Sequence, residues 1–132
     1  MKKHRLRWML LLGLLFTAFA FAAPLTEQQK IDELIHGIEV LPGAQFIRNG
    51  SAHDGKAAAA HLQQKRDYAG SRIKTANDFI ECCASRSSLS GQPYQIRFAN
   101  GMTEDAEVYF RAELKRIEAA PTASPPAAAN PR

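Results

Sequence analysis

Three histidines downstream of the N-terminal segment, His36, His53 and His61, and the run Ser51-Ala52-His53-Asp54 carry the residue types for proton transfer or metal binding. Zinc needs three or four converging ligands, usually with a signature spacing on one helical face. His53 and His61 stand eight apart and no His-Glu-x-x-His occurs, so neither a metal nor any other cofactor is expected. A hydrolytic triad needs base and nucleophile about 3 Å apart, which neighbours along one run rarely reach. No Gly-x-Ser-x-Gly elbow is present. The eight glycines are scattered singly, which argues against a phosphate loop. His61, one residue before Leu62 in an alanine-rich stretch, is expected to be a structural histidine bonded to a backbone carbonyl.

Cys82 and Cys83 are adjacent. A vicinal disulfide distorts the backbone and does not suit a helix, where successive side chains diverge by about 100°. Two reduced thiols, with Cys83 buried, are the expectation; an intermolecular bridge through Cys82 is the alternative. Without Cys-x-x-Cys, redox catalysis has little support. Lys65, Arg66, Arg72 and Lys74 form a basic cluster, expected to be answered by Glu104, Asp105 and Glu107. Nucleic-acid binding would need net positive charge and interleaved aromatics, and is not expected. The most suggestive segment is the serine-rich loop Ser85–Tyr94, since loops held by rigid elements often carry function. Ser90-Gly91-Gln92-Pro93-Tyr94 is similar to the Ser-Gly-x-x-Tyr pattern of some periplasmic lysozyme inhibitors, which are β-barrels; a serine-capped turn ordered by Pro93 is the plainer reading. The candidate binding set is Arg48, Asn49, His61, Ser88, Ser90, Gly91 and Tyr94.

Periodicity supplies the elements that must position these residues. Thr26 and Gln29 form a capping box ahead of Ile31, Leu34, Ile35, Ile38 and Leu41 at helical spacing, with Pro42-Gly43 as the stop. Phe46–Arg48 reads as a short strand entering an Asn49-Gly50 hairpin turn. Asp54 caps a helix over Gly55–Ala69, stopped by Gly70. Thr75 and Asp78 open a third helix burying Phe79, Ile80, Cys83 and Ala84. Tyr94–Phe98 alternates as a half-buried strand, Asn100-Gly101 is expected to be a second turn of the same type, and a last helix covers about Glu104–Glu118. The fold class is α+β: a small helix-rich domain of about four helices with a short antiparallel sheet from two Asn-Gly hairpins.

The 132 residues carry 17 Lys and Arg against 13 Asp and Glu, a formal charge of +4. Lys2, Lys3, Arg5 and Arg7 precede the apolar run Trp8–Phe21, and no acid precedes Glu27. A basic segment, a short apolar run and Ala20-Phe21-Ala22 together predict a cleavable export signal over residues 1–22, with Ala18-Phe19-Ala20 as a second possible site, and a periplasmic protein. The run is short of the roughly 20 residues of a membrane anchor. Removal of the signal leaves 13 bases against 13 acids, so the excess charge belongs to export. Residues 23–118 then form the domain, and the Ala- and Pro-rich residues 119–132 are expected to be a disordered tail.

Phe46-Ile-Arg-Asn-Gly50, Ala58-Ala-Ala-His-Leu62 with Lys65, Ala69-Gly70, Arg72-Ile-Lys-Thr-Ala76 with Asp78-Phe79-Ile80, and Ser88-Leu-Ser-Gly91 with Pro93-Tyr94 together resemble the secreted bacterial domain-of-unknown-function family 5329. The likeness spans most of residues 27–117; the Cys82-Cys83 pair lies outside the pattern. It implies a periplasmic location in a Gram-negative cell and assigns no activity. The residues favour a non-enzymatic binding or accessory module of the envelope, with a periplasmic protein or cell-wall component as partner. The alternatives are a small envelope enzyme using His61 or His53, and an inhibitor of a hydrolase such as lysozyme acting through the Ser90–Tyr94 loop. Mass spectrometry of the exported protein is expected to find Met1–Arg7 removed; their retention would contradict the export signal.

Overall fold

The computed structural model describes residues 23–120; the export signal expected over residues 1–22 and residues 121–132 of the expected tail lie outside the described residues. Helix α1 (Glu27–Glu39) opens with the expected capping box: Gln29 N donates to Thr26 Oγ1 (3.2 Å) and Thr26 N to Gln29 Oε1 (2.9 Å). Ile31, Leu34, Ile35 and Ile38 form its buried stripe, packed against the other three helices. Among the described residues no helix is long and apolar enough to cross a membrane.

Strands β1 (Gln45–Arg48) and β2 (Ser51–Asp54) pair antiparallel with Arg48 opposite Ser51. Asn49 and Gly50 are therefore the whole connection, at φ 50° and 79°, the left-handed pair that a tight hairpin demands. Strands β3 (Gln95–Arg97) and β4 (Thr103–Asp105) form the second hairpin, and pairing of β1 with β3 joins the two into a four-stranded antiparallel sheet of order β2-β1-β3-β4. The second turn is not of the same type. Of Asn100 and Gly101 only Gly101 has positive φ, at 86°. Gly101 N donates to Phe98 O (2.9 Å) and Phe98 N to Met102 O (2.8 Å), which closes a longer loop.

Helix α2 (Gly55–Ala69) begins where β2 ends, with Ala57 N donating to Asp54 Oδ1 at 2.8 Å. Its first residue must be glycine for a steric reason: a Cβ there would lie 2.4 Å from Ile38 O and 2.9 Å from Glu39 O. The start of α2 thus rests directly on the end of α1. A 3₁₀ turn over Gly70–Arg72 leads to α3 (Ala76–Phe79), opened by the Thr75–Asp78 capping box. The expected long third helix stops there and widens into a π turn over Ile80–Ala84. The buried Ser85 hydroxyl donates to Ile80 O, five residues back, at 2.6 Å, and so satisfies a carbonyl at the end of that turn. Helix α4 (Ala106–Ala119) starts later than its periodicity suggests and runs one residue into the expected tail. Glu104 and Asp105 belong to β4 because Glu104 pairs with Ile96 and Asp105 with Gln95.

The core lies between the sheet face bearing Phe46 and Ile96 and the inward stripes of the helices, with Phe79 and Phe110 fully enclosed. Gly55→Ala is expected to destabilise the domain by about 1–3 kcal/mol, since an inserted methyl must push two helices apart; an unchanged denaturation midpoint would contradict the close approach.

Candidate functional site

Side chains alternate along a strand, so Phe46 and Arg48 share one face of β1, and His53, opposite Phe46, joins them from β2. Helix α2 lies beside this face and presents His61, Lys65 and Tyr68 at helical spacing, followed by Arg72 from the 3₁₀ turn. The serine loop makes the third wall. Between these walls run three adjoining hollows of about 320, 440 and 600 Å³, and His61 borders all three.

The loop is held from within and from the hairpin. Ser87 is buried; its N donates to Gln92 O (2.9 Å), its O accepts from Gly91 N (2.9 Å), and its hydroxyl oxygen accepts from Leu89 N and Ser90 N (both 3.3 Å). The turn residue Asn49 reaches across: Ser90 Oγ donates to Asn49 Oδ1 (2.6 Å) and Asn49 Nδ2 donates to Ser87 Oγ (3.4 Å). Tyr94 closes the floor. Its ring packs on Phe46 at 5.1 Å between centroids, its backbone bonds Ser85 and Ala106, and its hydroxyl lies 3.2 Å from Lys65 Nζ, a donor, and 3.4 Å from His61 Nε2.

Five of the seven candidate binding residues, Arg48, Asn49, His61, Ser88 and Tyr94, border the 440 Å³ hollow. Ser90 and Gly91 do not; Ser90 buttresses the wall through Asn49 and Gly91 takes the left-handed turn of the loop at φ 72°. Tyr94 is only 2 % exposed, so it is not a side chain that projects into another enzyme's cleft. His61 was expected on a backbone carbonyl; its partner is the Tyr94 hydroxyl, because the inward face of α2 meets a side-chain-built floor. The basic cluster is not answered by Glu104, Asp105 and Glu107. Arg66 turns to α1 and pairs with Asp32 at 2.6 Å, while Glu107 pairs with Arg111 on its own helix. Lys65 and Arg72 face the hollows instead, residues that charge counting alone did not separate from Arg66; the spacing His61, Lys65, Tyr68 is the signal that does.

Cys82 and Cys83 are free thiols, the first exposed and the second buried. They do not diverge: Cys83 Sγ donates to Cys82 Sγ at 3.1 Å and both border the 600 Å³ hollow, since the wider π turn narrows the angle between successive side chains. Burial pushes the Cys83 thiol up to about 12, so it stays protonated at neutral pH. Among the described residues no three metal-binding side chains converge.

Fold and site define a class: a small α+β domain of two joined hairpins and four helices, with a side-chain-lined groove beside α2. The chain belongs to the family of unknown function DUF5329, matched over residues 25–118. It is similar to the uncharacterized protein YfeK of Salmonella typhimurium (strain LT2), 37% identical over 68 residues, covering 52% of this chain and 57% of that protein. This chain therefore spans little more than half of that relative's length. No solved structure matches.

Burial lowers the His61 imidazole to about 4, and the nearby charges of Arg48, Lys65 and His53 act in the same direction. The folded protein thus holds His61 neutral while the unfolded chain takes up a proton near pH 6.5. The resulting contribution to stability is complete above pH 6.5 and is lost as pH falls from 6.5 to about 4. Denaturation across that window is expected to show a smaller loss of stability in His61→Gln than in the native sequence; identical pH profiles would contradict it.

Proposed function

We propose that this chain is an exported, non-catalytic binding module of the bacterial cell envelope, working in the periplasm and holding its ligand in the groove between α2, the first hairpin and the serine loop. The observation that carries the reading is the construction of that groove. Its walls come from three separate elements cross-tied by Asn49, Ser87 and Tyr94, and its lining is largely apolar with a few polar and charged groups placed along it, as in preformed ligand sites. Export is supported by the basic, apolar and small-residue order of residues 1–22.

Catalysis is the weaker reading because of what surrounds His61. Its hydrogen-bond partner is a buried phenol, and burial with neighbouring cations makes its imidazole a poor base. Inhibition by loop insertion is weaker still, since the Ser90 hydroxyl is committed to Asn49 and Tyr94 is inside the core.

Immobilised full chain exposed to periplasmic extract and purified cell wall is expected to retain envelope material that the Arg48→Gln/Lys65→Gln double variant does not, with both proteins giving the same circular dichroism. Equal retention by the two, or turnover of an envelope substrate that disappears in His61→Gln, would overturn the proposal.

A further inference from the structure

The charge of the groove is one-sided. Arg48 enters from β1, Lys65 and His61 from α2, and Arg72 from the turn beyond it, while no Asp or Glu borders any of the three hollows. Elsewhere Lys30 pairs with Glu27 and Glu118, Arg66 with Asp32, Arg111 with Glu107 and Glu81, and Arg116 with Glu113, while Lys56, Lys74, Arg86, Arg97 and Lys115 border none of the three hollows. Arg48, Lys65 and Arg72 form no ion pair among the described residues. Lys65 spends its donors on Arg86 O and the Tyr94 hydroxyl, both at 3.2 Å, and Arg72 Nε bonds Ala69 O at 3.2 Å, contacts that aim these cations without neutralising them. A domain with 12 bases against 13 acids over residues 23–118 has therefore placed unpaired positive charge in this cross-tied concavity, which favours a negatively charged occupant.

Two further features narrow the occupant. The groove follows α2 for about 12 Å from His61 to Ala69 at 1.5 Å per residue, longer than a single small anion needs. Beside the cations stand hydrogen-bonding groups suited to hydroxyls, Gln64 and Ser88, and the ring of Tyr68, 87% exposed with the Arg72 guanidinium 5.8 Å from its centroid. An extended acidic peptide would find no main-chain partner on β1, the strand flooring the groove, which is already paired on both edges, so that only the outer edge of β2 is left to it. The walls between the cations are largely apolar, and it is Arg48, Lys65 and Arg72, with no acid beside them, that set the demand for an anionic occupant.

We propose that the groove binds an anionic saccharide, its carboxylate or phosphate groups seated between Arg48, Lys65 and Arg72 and a sugar face against Tyr68. This rests on the reading of the groove as a binding site and names what that site takes. The anion would also relieve the repulsion on His61, whose charged and titratable neighbours are Lys65 on its own helix, Arg48 on β1, His53 on β2 and the Tyr94 phenol before β3. Saccharide binding is therefore accompanied by an upward shift in the titration of the His61 ring.

The test is titration of the full chain, followed by His61 ring resonances and by calorimetry. The probes are a galacturonic acid hexamer, its methyl ester, mannose 6-phosphate, polyglutamate and a thymidine oligonucleotide. The hexamer is expected to bind and to raise the His61 titration midpoint. Arg48→Gln and Lys65→Gln are each expected to weaken it about tenfold or more, the effect of one charge-assisted hydrogen bond. Tyr68→Ala, at an exposed position that leaves the core intact, should weaken it as well. Stronger binding of mannose 6-phosphate than of the hexamer would select phosphate over carboxylate within the proposal. Equal binding of the methyl ester, or tighter binding of polyglutamate or the oligonucleotide, would overturn it. Retention of envelope material that depends on Arg48 and Lys65, with no binding of either saccharide, would overturn the ligand class and leave the binding module standing. Loss of groove-dependent retention as well would overturn both.

Discussion

A buried phenol has to satisfy two demands at once: its ring must be packed and its hydroxyl must find a partner. In Tyr94 these demands fix the geometry of much of the molecule. The ring packs at a tilt on Phe46 of β1, the main chain bonds Ser85 at the end of the π turn and Ala106 at the start of α4, and the hydroxyl meets Lys65 and His61 on α2. Sheet, loop and three helical segments are thereby referenced to one side chain. The groove is accordingly continuous with the core: the residue that holds Lys65 at its floor is the same one that seals the interior.

Much of this fold can be read from local chemistry. Thr26, Asp54 and Thr75 each satisfy amides at a helix start, and Asn49-Gly50 is suited to a two-residue hairpin, because these are interactions over three or four residues that no distant contact overrides. The readings that missed depend on partners elsewhere. Glu104 fits a helical stripe until Ile96 pairs with it, and Asn100-Gly101 resembles its counterpart until the β3–β4 register sets a longer loop. The π turn is invisible to periodicity, since Ser85 closes it through its own side chain.

The same division holds at the groove. Arg48, Asn49, His61, Ser88 and Tyr94 were separable from the sequence as polar, loop-borne or hairpin-borne groups, and folding brings them around one hollow. The sorting of Lys65 from Arg66 was not legible by counting charge. Adjacent residues on a helix point about 100° apart, and only the position of Asp32 on α1 decides which cation is neutralised. Likewise Ser90 is a wall support, a role conferred by the Asn49 amide and by no property of the serine loop alone.

The sheet order carries a kinetic corollary. Each hairpin is local and can close on its own, whereas the ladder between them unites Gln45 with Arg97, 52 positions apart, and cannot form before the chain between them has been gathered in. Arg48 lies on one side of that junction and Tyr94 on the other. The groove is therefore complete only when that long-range ladder has closed: the first hairpin and α2 carry Arg48 and Lys65, but not Arg72 and not the Tyr94 floor between them.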